Sequence, residues 1–433
     1  MEIKCSKLSE MTDSVCESNL RVKYVLPGET ANFLNQKGKA IPESDIIIKS
    51  PHRTKVVCPI FYECGGCDFL HIKYAEQLKM KENYVKEIYQ SEKVHVQVLP
   101  VIESEQPLYY RHKIVLSAGT FKQKLRLGLY REHSRRVIPF LRCYIQDKQV
   151  NLLMQTIEEL LNRYKLPAYD LDKSAGMIKH VMVRKSYHTN KMMLIFVTNG
   201  NLFPNNKTII QEIIKKHPMV STVIQNIHKK NTHLVLLDEE KVLYGPGFIE
   251  DEIEGVKFRL SSKSFYQVNP VQMLRLYQYA LDLAKISKED IVMDTYSGVG
   301  TISLLAAKRA KHVIAIEANP MAHQDAVHNK KINKMDNVTF HQSDVEPFIN
   351  EFVGNVDVLI LDPTRDGASK AFIDAVLRLK PKRIVYISCE PKTQARDVKL
   401  LSKDYFVVSV QPVDMFSQTV HVETISLLSL KTT

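Results

Sequence analysis

The sequence predicts an α/β fold, with a doubly wound C-terminal sheet preceded by a β-rich central domain and a small N-terminal β domain. Three observations carry this. From about residue 288 strand-like and helix-like stretches alternate, the pattern of a parallel sheet with crossover helices. The strand-like stretches contain continuous apolar runs such as VLIL at 358–361, which fit strands buried on both faces. The first of them ends in Asp294-Thr-Tyr-Ser-Gly-Val-Gly-Thr301, a glycine turn into a helix at the sheet edge where such folds bind ligands.

Taken in chain order, residues 1–57 hold the short apolar runs RVKYVL and DIIIKS around a PGET turn, which read as a small β domain. Residues 71–90 place Tyr74, Leu78, Tyr84, Val85, Ile88 and Tyr89 among Lys and Glu, the periodicity of an amphipathic helix. The central domain, 58–260, contains HKIVLSAG, LRLGLYR, MIKHVMVRK, KMMLIFVT and THLVLLD as strands and one helix at about 150–164. The last domain, 261–433, has strands IVMDTY (291–296), HVIAIE (312–317), NVTFH (337–341), VDVLILD (356–362), RIVYIS (383–388), FVVSV (406–410) and TISLLSL (424–430). Its helices are expected over 301–310, 320–333, 369–379 and 391–402.

Composition sets the class. A chain of 433 residues with 44% hydrophobic and 25% charged residues is globular, with room for two to four domains of ~100–200 residues. No apolar run approaches the ~20 residues of a membrane span, and the start lacks a signal-peptide layout, so a cytoplasmic protein with no membrane role is expected. The formal charge of +12 suggests a polyanionic partner, and nothing marks an obligate protein partner. Between 111 and 142 Arg111, Lys113, Lys122, Lys124, Arg126, Arg131, Arg135, Arg136 and Arg142 stand against Glu132 alone. Beside Tyr109, Tyr110, Phe121 and Tyr130 this suits phosphate contact with aromatic stacking, although a charge run also makes an ordinary solvated face.

The seven cysteines, an odd number, fit thiols that act as ligands or nucleophiles better than a secreted disulfide framework. Cys58, Cys64 and Cys67 form C-x5-C-G-G-C, Cys143 follows far downstream, Cys389 stands alone, and Cys5 and Cys16 lie near the start. Four thiolates hold zinc tetrahedrally. Three bunched and one distant are equally compatible with a four-thiolate iron–sulfur site, and spacing leaves both open.

At the sheet edge, Gly298 and Gly300 let the backbone approach a ligand. Glu317, ending the next strand, can accept from two ribose hydroxyls, and without a phosphate-binding lysine loop or G-x-G-x-x-G the turn suits S-adenosylmethionine better than ATP or NAD. Asp344 is placed either to meet the adenine amino group or to cap the helix it precedes. Asp362 follows four apolar residues, so it meets something polar, a ligand or the following turn. Cys389 ends the fifth strand before Pro391 and a helix, where a helix N-terminus would lower its pKa and make it a nucleophile; buried cysteines are otherwise inert. Glu423 enters an apolar strand where desolvation would raise its pKa towards that of a useful base, unless an ion pair holds it. His421 is expected to pack.

These motifs occur in a fixed order: the cysteine cluster, Tyr110-Arg111-His112-Lys113, Cys143, Phe265-Tyr266-Gln267-Val268-Asn269, the glycine turn, Asp362-Pro-Thr-Arg365, Ser388-Cys389-Glu390-Pro391 and His421-Val-Glu423. Over residues 58–433 the chain resembles the RNA uracil-5 methyltransferases, which make 5-methyluridine in 23S ribosomal RNA and in tRNA. Residues 1–57 resemble a shortened, divergent TRAM domain, an RNA-binding module. The resemblance implies a Rossmann-like, S-adenosylmethionine-dependent domain acting on RNA, 23S rRNA ahead of tRNA. It implies Cys389 as nucleophile and Glu423 as general base. Gln267, Tyr296, Glu317, Asp344 and Asp362 would bind the cofactor, with Phe265 and Thr301 nearby. Cys58, Cys64, Cys67 and Cys143 would hold a [4Fe-4S] cluster. Three residues depart from the family pattern: His112 for Asn, Thr364 for the second proline, and Glu390 for the Asn after the nucleophile. The last sets a carboxylate beside the thiol, where it could raise the thiol pKa or alter uracil recognition.

Overall fold

The computed structural model describes residues 2–9, 11, 13–33, 40–132, 134–230, 232 and 234–431. At the N-terminus β1 (Glu2–Ser9), β2 (Asp13–Cys16), β3 (Arg21–Lys23), β4 (Thr30–Asn32) and β5 (Ile46–Ile48) form a sheet in the order β3-β2-β1-β4-β5. Ile3, Val22, Val25, Ala31 and Ile46 are its core. Cys5 and Cys16 are joined in a disulfide, a pairing not expected from thiols read as ligands or nucleophiles. The reason is register: β1 and β2 are antiparallel and set these two residues opposite each other.

Helix α1 (Tyr74–Ser91) follows the cysteine-rich loop. The central sheet comprises β6 (Lys113–Phe121), β7 (Lys124–Tyr130), β8 (Val137–Pro139), β9 (Ile178–Lys185), β10 (Met192–Thr198), β11 (Val220–Ile227) and β12 (Glu240–Tyr244), in the order β12-β11-β10-β9-β6-β7-β8. Helices α2 (Lys148–Arg163) and α3 (Asn206–Lys216) cover one face. Strand β10 is buried along its whole length. Its period-two alternation sends Met192, Leu194 and Phe196 to that helical face and Met193, Ile195 and Val197 to the core shared with the C-terminal domain. The expected strand at THLVLLD is irregular over its described residues, and β12 begins only at Glu240. The side chain of Asn226 holds this loop by bonding the backbone of Leu237, and no strand forms there.

A hairpin of β13 (Phe248–Ile253) and β14 (Val256–Ser261) leads into α4 (Pro270–Ala284). Helix α4 was not foreseen, although Asn269 caps it and Pro270 occupies its first turn. The final sheet has β15 (Ile291–Thr295), β16 (His312–Glu317), β17 (Val338–Gln342), β18 (Val358–Leu361), β19 (Arg383–Ser388), β20 (Tyr405–Val413) and β21 (Glu423–Leu430). Between them run α5 (Thr301–Ala307), α6 (Pro320–Ile332), α7 (Val345–Glu351), α8 (Lys370–Leu379) and α9 (Pro391–Leu401). The order β17-β16-β15-β18-β19-β21-β20 reverses between β15 and β18, the switch point at which doubly wound sheets open a crevice at their carboxyl ends. Strands β15 to β19 are parallel, whereas β21 runs antiparallel to both neighbours. That reversal brings the first residue of β21 to the carboxyl end of β19. Among the described residues no helix is long and apolar enough to cross a membrane.

Helix α1 packs on this last sheet: Val85, Ile88 and Tyr89 share a core with Tyr386, Val398 and Leu401. From it the fully buried Lys81 reaches Asp414 at 2.5 Å, and Tyr74 donates to the same carboxylate at 2.6 Å. A buried pair contributes little net stability but is costly to break from one side, because the survivor stays charged and unpaired. Lys81→Met should therefore destabilise the protein by about 3–5 kcal/mol in chemical denaturation. Adding Asp414→Asn should recover part of that loss; strictly additive costs would show that the two groups are not energetically coupled.

Candidate active site

Three candidates converge at the carboxyl end of the last sheet. Asp362 directly follows β18, Cys389 directly follows β19, and Glu423 opens β21. The antiparallel register that pairs Thr424 with Ser388 puts Glu423 opposite Cys389. The thiol feels the charges of both Glu423 and Asp362, and the Arg365 side chain hydrogen-bonds it. Gln267 joins from the loop before α4, hydrogen-bonding the buried Tyr277 hydroxyl, which lies within electrostatic reach of Asp362 and Glu423. Arg365 and Tyr277 were missed as site residues by sequence reasoning. Arg365 was visible as the end of Asp-Pro-Thr-Arg, but its place beside the thiol depends on how the turn after β18 folds back.

Electrostatics overturns one expectation. The Cys389 thiol is pushed up to about 11, by burial first and then by Glu423 and Asp362, with Arg365 pulling the other way. The N-terminus of α9 therefore does not win, because two carboxylates in a partly dehydrated crevice outweigh a helix end. Nor is Glu390 the source: its carboxylate turns back to cap α9, accepting from the Lys392 amide. Burial and the neighbouring Asp362 raise the Glu423 carboxyl, and burial raises Asp362. Two interacting acids of this kind titrate as a pair. Behind them burial lifts Asp294 to about 7 although the Ser303 hydroxyl donates to it.

The glycine turn lies at the same edge. Glu317 accepts from the Gly298 and Asn319 amides, each at 2.7 Å, which fixes its carboxylate at the end of β16. Tyr296 adopts a left-handed backbone at φ 64° and packs against Phe372. Gly298 faces open space, whereas at Gly300 a side chain would strike Phe340 at 2.7 Å. The buried Ser297 hydroxyl has no partner. An open cradle, an orphaned hydroxyl and a fixed carboxylate suit a nucleoside-bearing cofactor. Asp344 is exposed at the N-terminus of α7 and makes no capping bond with its side chain. Thr301 begins α5 and is buried, while Phe265 is 64% exposed, available to whatever enters the crevice.

Cys58, Cys64, Cys67 and Cys143 are unbonded and line one pocket of about 390 Å³ with Phe61, Leu70, Leu129 and Phe140. The donor chemistry fits a thiolate-held group. The thiols are not drawn in to coordination, since among the described residues no group of three or more His, Cys, Asp or Glu side chains is arranged to hold a metal ion. Of the basic run, Lys122, Lys124, Arg135 and Arg136 are exposed beside the exposed Phe121 and Tyr130. Arg126 is paired with Glu158, and Arg131 with Glu63. Tyr110, read as a stacking residue, is instead buried and donates to the Ser417 carbonyl.

Comparison with known proteins places this geometry. Residues 73–431 match the family model described as tRNA (uracil-5-)-methyltransferase. A protein of Oceanobacillus iheyensis named as an uncharacterized RNA methyltransferase is 39% identical over 428 residues, covering 95% of this chain and 92% of its own. One of Clostridium acetobutylicum, named likewise, is 38% identical and covers 89% and 85%. The crystal structure of Pyrococcus abyssi tRNA (uracil-54, C5)-methyltransferase in complex with S-adenosyl-L-homocysteine superimposes with a TM-score of 0.79 at 25% identity, over 99% of this chain and 100% of that one.

The raised carboxyls make a testable statement about stability. A carboxyl whose folded pKa exceeds its unfolded value stabilises fully below the unfolded value, and that contribution is lost as pH rises through the folded one. For Glu423 the window runs from the ordinary carboxylate range upward through neutrality. Glu423→Gln should therefore be more stable than the parent at about pH 8, by on the order of 2 kcal/mol, with the gap closing towards about pH 4. Thermal melts across that range read it directly, and a gap independent of pH would refute the assignment.

Proposed function

The chain belongs to the RNA uracil-5 methyltransferase family, and on that premise we propose that it methylates C5 of a uridine in 23S ribosomal RNA through a covalent adduct between Cys389 and uracil C6. The observation that carries this is one thiol, two raised carboxylates and one guanidinium gathered at the carboxyl ends of β18 and β19 and the amino end of β21. Preference for ribosomal RNA rests on the ordered motifs, the four cysteines included. A tRNA uridine is the second reading, favoured by the likeness to the Pyrococcus abyssi enzyme.

Uracil C5 is a poor nucleophile, and a thiolate adding to C6 converts it to an enolate with carbanion character at C5. Once the Cys389 thiol has given its proton to solvent, the Sγ–C6 bond forms and the electrons of the C5–C6 double bond pass to C5 and O4. Arg365 opposes the carboxylates that hold the thiol protonated. S-adenosylmethionine supplies the electrophilic methyl group that C5 accepts. C5 then still carries its original proton. Glu423 removes it, the double bond re-forms and the Sγ–C6 bond breaks, which returns the free thiolate. A base raised by burial is matched to that task near neutral pH. The uracil must leave its stack to present a face to the thiol, so a loop or extruded base is the expected target.

For the cofactor, Glu317 would receive the ribose hydroxyls, Tyr296 and the Gly298 turn would border the nucleoside, and Asp344 would meet the adenine amino group. Gln267 and Asp362 would flank the methionyl end, with Asp362 shared between cofactor and chemistry. Cys58, Cys64, Cys67 and Cys143 would hold a [4Fe-4S] cluster that ties the cysteine loop to the segment before α2, a structural role. Residues 1–57 would act as the TRAM-like RNA-binding module.

Two outcomes are expected. Anaerobically purified protein should be brown and carry iron and sulfide at about four each per chain; colourless protein with one stoichiometric zinc would replace the cluster with a single ion. Cys389→Ala should abolish methylation and form no adduct, whereas Glu423→Gln should accumulate a methylated, denaturation-resistant protein–RNA complex, because addition proceeds and elimination stalls. Sequencing the RNA trapped on Glu423→Gln in cells separates ribosomal RNA from tRNA. Normal turnover by Glu423→Gln would pass the role of base to Asp362 or Glu390.

A further inference from the structure

Beside Gln267 the central sheet opens a second, narrow cleft lined by His112, Lys113, Arg184, Lys185, Tyr266, Gln267 and Pro270. No carboxylate lines it. Among the described residues Lys113 has no ion pair and its ammonium no hydrogen bond, and burial, with Arg184 and Arg111 adding to it, pushes that ammonium down to about 8. Arg184 is 2% exposed, spends its two terminal nitrogens on the Ser261 and Ser264 carbonyls, and keeps a buried Nε without a partner. The His112 Nδ1 is likewise buried and unpartnered. Lys185 is held by Asp147 at 2.9 Å, and Asp325, the acid acting on Arg184, is occupied by Ser261 and Ser264.

Burying the Lys113 ammonium without counter-charge is costly, and low-dielectric surroundings strengthen its pull on any anion that approaches. We infer that the mouth of this cleft receives one phosphodiester of the RNA strand, adjacent to the uridine presented to Cys389. This rests on the reading that RNA is the substrate. Gln267 links the two places, lining the pocket and bonding Tyr277 beside the carboxylates. An unstacked nucleotide loses the neighbours that position it, and a clamp on the adjoining phosphate replaces them. His112, which departs from the family's Asn, stands in the wall of this pocket.

The test uses an RNA hairpin that the wild-type protein methylates, synthesised with a single neutral methylphosphonate linkage moved along the strand. Binding to wild type should fall roughly tenfold at one linkage beside the uridine. Lys113→Gln should weaken the unmodified hairpin similarly, lose nothing further at that linkage, and lower the salt slope of binding by ~0.7. Lys113→Arg should restore affinity. S-adenosylhomocysteine affinity should be unchanged throughout. Equal losses at every linkage, or a Lys113→Gln penalty that adds to each of them, would overturn the pocket. So would a loss of S-adenosylhomocysteine affinity, which would assign the pocket to the cofactor carboxylate. The linkage scan on wild type stands even where a variant folds poorly. Failure of wild type to methylate any RNA is read first and would remove the premise itself.

Discussion

The arrangement of the site depends on a single buried carboxylate, Asp414. Its oxygens take the Lys81 ammonium, the Tyr74 hydroxyl and the Ser417 hydroxyl, and its backbone carbonyl takes Gln272 from α4. The chain that leaves it, 414–422, is short and irregular and ends at Glu423. Irregular buried backbone survives only if its polar groups are satisfied, and here each satisfying group comes from a different part of the molecule. Asn269 bonds the Met415 carbonyl, Tyr110 the Ser417 carbonyl, and Gln77 the Gln418 side chain. The Asp68 and Phe69 amides donate to Gln418, and Asp68 receives the Val420 amide. The cysteine loop, α1, the start of the central sheet and α4 thus all meet on the segment that delivers the base, and the position of Glu423 integrates four packing events.

This connection gives the cysteine cluster a physical route to the chemistry without any electron transfer. Asp68 follows Cys67 immediately, so whatever fixes the cysteine loop also fixes the carboxylate that holds Val420. The N-terminal sheet reinforces the same loop from the other side: Tyr24 packs against Phe61 and Tyr62, while Arg53, itself buried, clamps Glu29. The N-terminal sheet and the segment that ends at Glu423 are therefore braced through a common element.

The fold was legible where burial is two-sided. Strands such as Val358–Leu361 and Arg383–Ser388 announce themselves as apolar runs because both faces are covered by helices, and every strand expected after residue 288 is present. The same logic failed at THLVLLD, where hydrophobicity reflects packing of a loop onto the core and not pairing: Val235 and Leu236 lie against the main cluster. Helix α4 carried a proper start signal in Asn269-Pro270. Candidates that chemistry singles out by type, Cys389 and Glu423, stand out in the string, and the structure brings them together. What could not be read was sign and company. A helix N-terminus after Cys389 argued for a low pKa, and only three-dimensional placement reveals that burial, with Glu423 and Asp362 facing the thiol, reverses it. Tyr110 sat in a basic, aromatic stretch and looked like a stacking platform until its hydroxyl was found to hold Ser417.

The reversal at Cys389 has a logic of its own. A thiol that ionised freely at neutral pH would be exposed to oxidation and to wrong electrophiles, and in this crevice burial and then two acids keep it protonated while Arg365 limits the effect. On the proposed mechanism burial also makes the carboxylate useful: an isolated surface glutamate would be ionised near pH 4 and too weak a base to draw a proton from C5. Burial, with Asp362 adding to it at Glu423, raises both carboxyls, and on the proposed mechanism the same surroundings hold the nucleophile in reserve and give the base its strength. Such an arrangement costs folding stability, and the cost is borne by the sheet. Strand β21 is anchored along its full length between β19 and β20, so the one residue that would rather face water is the first of a strand with no freedom to turn away.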